Sequence, residues 1–115
     1  MPDLKINHRP MANGVFYIEA AGFLDAHTYE QMDKIVESIF KRNIHRLIIK
    51  LEQIEYISSA GAGVFVGAID ESQKNGGDLV FLTPSASVRE VFDLLGLSAI
   101  FTYADSLEQA SAHFR

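Results

Sequence analysis

Apolar residues change their spacing several times along this chain, and each change marks an element. Leu4 and Ile6 alternate with polar residues, the period of a half-buried strand. A second strand is predicted over Val15 to Ala21. Asn13-Gly14 stands between the two, a pair suited to the positive φ of a tight hairpin turn. From Tyr29 the period becomes helical, through Met32, Ile35, Val36, Ile39 and Phe40, and the helix ends near Arg42-Asn43. Thr28 with Gln31 has the spacing of a capping box at its start.

"RLIIKL" at 46–51 is almost continuously apolar, as in a central strand covered on both faces. "EQIEYI" leads out of it to two serines. A helix then runs to about Lys74, where Asn75-Gly76-Gly77 stops it. "DLVFL" at 78–82 is a further strand. Val88, Val91, Phe92 and Leu95 make one helical face, with a capping-box pair at Ser87 and Glu90 and a stop at Gly96. "AIFTY" at 99–103 reads as the last strand. "DSLEQASAHF" reads as a closing helix with Leu107, Ala110 and Phe114 on one side.

The predicted order is β-β-α-β-α-β-α-β-α. Strands alternating with helices form a mostly parallel sheet, here with an N-terminal antiparallel hairpin and about four helices. In such a sheet the strand-to-helix loops emerge at one edge, where open α/β folds place their sites. The loops are Gly22–Thr28, Ile57–Gly61 and Thr83–Ser87. Asp25, Ser58, Ser59 and Ser85 are therefore expected near one another.

Composition narrows the function. The 115 residues suit a single domain, 1–115. Hydrophobic residues make up 48% and charged residues 22%, the balance of an ordinary globular protein. No cysteine is present, so disulfides and thiol chemistry are excluded. The net charge is −5, and the densest basic stretch, "KRNIHR" at 41–46, is a short helix end, so direct nucleic-acid binding is not expected. No run reaches the ~20 apolar residues that span a bilayer, and the N-terminus lacks a signal pattern. Membrane insertion is not expected, and the location expected is cytoplasmic.

The candidate chemistry lies in "YISSAGAGVFVGA" at 56–68. Ser58 or Ser59 should cap the following helix by accepting a backbone N–H. One serine suffices for that, and there are two. The helix then opens with Gly61, Gly63 and Gly67, each costing up to ~1 kcal/mol relative to alanine. Such residues allow close backbone packing, or leave a shallow surface for a partner. Phe65 and Ile69, one turn apart, should face the sheet. A phosphate on Ser59 would sit beside the positive end of a helix, where backbone N–H groups hold anions. It would add charge and bound water to a flat contact without unfolding the domain.

Other chemistries fit less well. A serine hydrolase would need a base, and only His27, in the loop with Asp25, could serve Ser59. No G-x-S-x-G elbow is present. The four histidines lack paired metal-ligand spacing. "GAGVFVG" lacks the lysine and hydroxyl of a phosphate-binding loop. No catalytic residue, metal or cofactor is assigned.

Taken in order, "GFLDAHT", "LEQIEYISSAGAGVFVGA" and "SASVREVFDLLGL" resemble a STAS domain over nearly the whole chain, and most closely the bacterial anti-sigma factor antagonists. That resemblance implies a STAS fold and the function of an anti-anti-sigma factor. The family's third-strand loop reads Asp-Ser-Ser-Gly, with phosphorylation on the first serine. Carried over, Ser58 takes the aspartate's place, Ser59 is the phosphorylation site, Ala60 replaces the second serine, and Gly61 matches the glycine. Asp25 matches an acidic residue beside the site.

The resemblance further implies a partner that is both an anti-sigma factor and a serine kinase, bound when Ser59 is unmodified and released by phosphorylation. A serine phosphatase reverses the step. Partner contacts are expected at Asp25, Ser58, Ser59, Gly61 and Ala62, and Ser58 is a second acceptor. The chain would be a substrate and decoy, regulating sigma-factor-dependent transcription by partner switching. The alternative is a STAS scaffold or accessory module, in a stress-signalling complex or transport system, without a phosphoswitch.

Overall fold

The computed structural model describes residues 3–115. Strands β1 (Leu4–Pro10) and β2 (Val15–Leu24) form an antiparallel hairpin. Its turn holds Asn13 at φ 64° and Gly14 at φ 70°, the left-handed conformation that an Asn-Gly pair accepts. The chain continues through α1 (Tyr29–Lys41), β3 (Arg46–Ile57), α2 (Ser59–Lys74), β4 (Asp78–Leu82), α3 (Ala86–Leu94), β5 (Thr102–Ala104) and α4 (Leu107–Ala112). The strands lie in the order β1-β2-β3-β4-β5, and all pairs after the hairpin are parallel. This is the sheet that the alternating pattern predicts.

Side chains alternate across a strand, which divides the central residues between two cores. Leu47, Ile49 and Leu51 of β3 join Phe16 and Ile18 of β2 and Phe81 of β4, beneath α1, α2 and α3. Ile48 faces the other way with Tyr17, Val80 and Leu82, against Ala110 of α4 and Phe114 just beyond it. Both faces of β3 are thus buried, as its apolar run requires. Phe65 of α2 meets Phe81 edge-on, with ring centroids 5.2 Å apart, and fastens that helix to the sheet.

Several expectations need correction. β3 does not end with its apolar run: "EQIEYI" remains strand to Ile57. It buries Leu51, Ile54 and Ile57 at a spacing of three, because the pairing with β2 shifts register twice, once before Ile54 and once after it. β4 ends at Leu82 opposite Lys50, so residues 51–57 of β3 run on past it, paired only with β2. The last strand falls later than "AIFTY": residues Leu97–Ala99 form a 3-10 turn and the strand begins at Thr102.

The capping boxes also differ. Thr28 makes no side-chain cap to α1. Asp25 and Thr28 instead cap each other one turn upstream. Asp25 Oδ1 accepts the Thr28 N–H at 3.2 Å, and Thr28 Oγ1 accepts the Asp25 N–H at 2.9 Å. At α3 the cap is Ser85, not Ser87, and Ser87 is exposed.

Candidate functional site

Two of the three loops meet. Leu24 and Ile57 are paired at the ends of β2 and β3, and the Leu24 carbonyl accepts the Ser58 N–H at 3.0 Å. Asp25 and Ser58 follow directly from that pair and so stand side by side. The third loop stays behind. Ser85 donates its hydroxyl to the Ile54 carbonyl at 2.7 Å, four residues before Ser58 along β3. At ~3.3 Å per residue that is about 13 Å from the serine pair. The expected grouping of Ser85 with Asp25, Ser58 and Ser59 does not occur, because β3 outruns β4.

The serine pair divides its work. Ser58 has extended backbone, φ −93° and ψ 172°, and its hydroxyl accepts the Gly61 N–H at 3.1 Å. It is the cap of α2. Ser59 is the first helical residue and is exposed. Gly61 and Ala62 have their N–H groups paired with Ser58. The N–H groups of Ser59 and Ala60 precede any intrahelical acceptor and can face water or an anion.

Asp25 is fixed as firmly. Its Oδ1 accepts the backbone N–H of His27 at 2.8 Å as well as that of Thr28, while Thr28 Oγ1 donates to the Phe23 carbonyl at 2.8 Å. The His27 N–H, with help from the Thr28 groups, holds the Asp25 carboxyl below the usual aspartate range although desolvation opposes it. At neutral pH a negative charge therefore stands beside the serine turn. His27 is exposed, and no hydrogen bond joins its ring to either serine among the described residues, so the triad geometry of a hydrolase is not assembled. No group of three metal-ligating side chains occurs among the described residues.

The glycines of α2 play two roles. A Cβ on Gly61 would fall 2.6 Å from the Leu24 carbonyl oxygen and 2.9 Å from Leu24 Cγ, so only glycine lets the helix start against β2. Gly61 and Ala62 are both buried, and this places two of the expected partner contacts in the packing rather than on the surface. Gly63 and Gly67 are exposed, with nothing within 4 Å of a Cβ on either. Packing explains the first glycine, and an open surface follows from the other two.

Sequence reasoning missed Tyr56. It is 49% exposed at the end of β3, its ring 6.3 Å from that of Phe23, and it adds an apolar patch beside the serines. Its place one residue before Ile57, on the opposite face of the strand, was the available signal.

Comparison with known proteins gives a consistent answer. The STAS domain profile matches residues 8–110. BtrV of Bordetella bronchiseptica, named as an anti-sigma factor antagonist, is 31% identical over 94 residues, covering 82% of this chain and 81% of its own. The anti-sigma F factor antagonist of Lysinibacillus sphaericus is 35% identical over 81 residues, 70% of this chain and 69% of its own. Among solved structures, the Bacillus cell fate determinant SpoIIAA in its phosphorylated form superposes with a TM-score of 0.75 at 26% identity, covering 96% of this chain and 100% of that one. Its unphosphorylated form gives 0.82 at 24%, covering 95% of each chain.

Proposed function

The chain belongs to the STAS domain family, and on that premise we propose that it is a cytoplasmic anti-sigma factor antagonist switched by phosphorylation of Ser59. One observation carries the choice of residue. Ser58 commits its hydroxyl to the α2 cap, which leaves the exposed Ser59 as the hydroxyl free to react.

The unmodified turn offers a compact face of Ser59, Asp25 and the edge of Ser58. A kinase-type anti-sigma factor docks there and gives up its sigma factor. Phosphoryl transfer then follows. Ser59 Oγ attacks the γ-phosphorus of ATP held by the kinase, the bond to the β-phosphate oxygen breaks, ADP leaves, and the serine proton passes to a base of the kinase. The product carries about −1.5 to −2 charges next to Asp25. The free N–H groups of the first α2 turn help hold that charge, so the scaffold survives. The partner cannot keep its contact without desolvating a phosphate, and it leaves. A phosphatase restores the hydroxyl by hydrolysis, with water taking the phosphoryl group away as inorganic phosphate. In this scheme the chain is a substrate and binds; it does not catalyse.

The test is a calorimetric titration of the kinase-type anti-sigma factor with three forms of the chain. Ser59→Ala should bind as the wild type does, and Ser59→Asp should bind at least tenfold more weakly, on the order of 1.4 kcal/mol. Equal binding by both would favour a constitutive STAS scaffold.

A further inference from the structure

Residues four apart share a helix face, so Ser59, Gly63, Gly67 and Glu71 form one exposed stripe along α2. Beside the stripe, α1 and α2 bound an open groove of about 530 Å³. Its floor is apolar, made by Val36, Val64 and Ala68 with the bare backbone of Gly63 and Gly67. Phe40 stacked on His45, centroids 5.2 Å apart, closes the end away from Ser59. A Cβ at 63 or 67 would meet nothing within 4 Å, and a longer side chain there would extend into the groove. The helix carries two weakening glycines whose one visible effect is to keep the groove open.

The rim has a sign. Asp33, Glu37 and Glu71 line it, and none of them is in an ion pair among the described residues. Lys41 is the one lysine or arginine among the described lining residues. A partner segment bearing cations is attracted there. A second copy would set acid against acid in a symmetric pairing, on a chain of net charge −5.

We propose that this groove receives a cationic amphipathic segment of the same kinase-type anti-sigma factor, its apolar side chains seated on Gly63 and Gly67 and its lysine or arginine side chains against Asp33, Glu37 and Glu71. The proposal rests on the Ser59 reading above, because the stripe begins at that residue. Gly67 lies eight residues on, about 12 Å along the helix axis. Phosphate acts at the head of the stripe, and the groove holds register further down. Two contacts at that separation should contribute independently.

The test titrates the purified kinase-type anti-sigma factor into the full chain and follows thermal unfolding alongside. Gly67→Leu should weaken binding on the order of tenfold without lowering the unfolding midpoint, since its Cβ meets nothing within 4 Å and leucine favours a helix over glycine. Its effect should multiply with that of Ser59→Asp. Glu37→Lys, on the exposed rim, should weaken binding with the fold intact, and Glu37→Gln with Glu71→Gln should flatten its salt dependence. Wild-type affinity in both Gly67→Leu and Glu37→Lys, with Ser59→Asp still weakened, overturns the groove and leaves the Ser59 reading standing. No binding by the wild-type chain overturns both. A homodimer of the chain that Gly67→Leu dissolves overturns the proposal in favour of a second copy.

Discussion

The turns into α2 and α3 share one design and differ in what they leave free. Ser58 and Ser85 both have extended backbone and cap the N–H three residues on, at 3.1 and 3.3 Å. Ser85 also donates its hydroxyl to Ile54 of β3, which rivets its turn to the sheet. The Ser58 hydroxyl makes only its cap among the described residues, and its turn rides the tip of the longest strand. The residue three beyond the cap is Gly61 in one turn and the buried Val88 in the other. Helix α2 begins in contact with the β2 backbone, and α3 begins with room for a side chain. A serine at a helix start is thus ordinarily structural. What marks the first turn is a second, exposed hydroxyl beside a fixed carboxylate.

The sharpest way to break the comparison is to exchange its third positions. Gly61→Val forces a Cβ against the Leu24 carbonyl and should cost about 3 kcal/mol in chemical denaturation. A cost below about 1 kcal/mol would mean that α2 can move off β2. Next come the caps. Ser85→Ala loses a cap and strands the carbonyl of buried Ile54, about 2 kcal/mol together. Ser58→Ala loses the cap alone, about 1 kcal/mol. Equal losses would show that the Ile54 bond does not distinguish the turns.

The smallest effect is electrostatic. The Asp25 carboxyl titrates below its unfolded value, so its stabilising contribution is fully present above about pH 3.9 and is lost as pH falls through the folded value. Carboxyl-detected NMR should place the Asp25 midpoint below that of an unfolded chain. Phosphate on Ser59 should move it upward, because a second anion disfavours ionisation. A midpoint indifferent to phosphorylation would separate Asp25 from the switch.

Hydrophobic period made most of this architecture legible. The helical spacing from Tyr29 to Phe40 and the run at 46–51 specify α1 and the centre of β3 because burial there is regular. The pattern failed where burial is irregular. β3 beyond Leu51 twists through two register shifts, so its buried residues lose the period of two. At 99–103 the apolar run hides a 3-10 turn that leaves Ile100 half exposed while Phe101 enters the core. Caps were ambiguous for another reason: several polar residues precede each helix, and spacing alone cannot choose between Asp25 and Thr28, or between Ser85 and Ser87. The site was half legible. Ser58, Ser59 and Asp25 come together as the loop order implied, whereas the distance to Ser85 depends on how far β3 outruns β4, which no local pattern encodes.

The most direct measurement is the position of the phosphate itself. The chain is incubated with ATP and the kinase-type anti-sigma factor, weighed intact, and the modified peptide is sequenced by mass spectrometry. One phosphate on Ser59, none on Ser58 or Ser87, and none at all in Ser59→Ala is the expected result. A phosphate on Ser58 or Ser87, or an unmodified chain in a stable complex with an active kinase, would contradict the account.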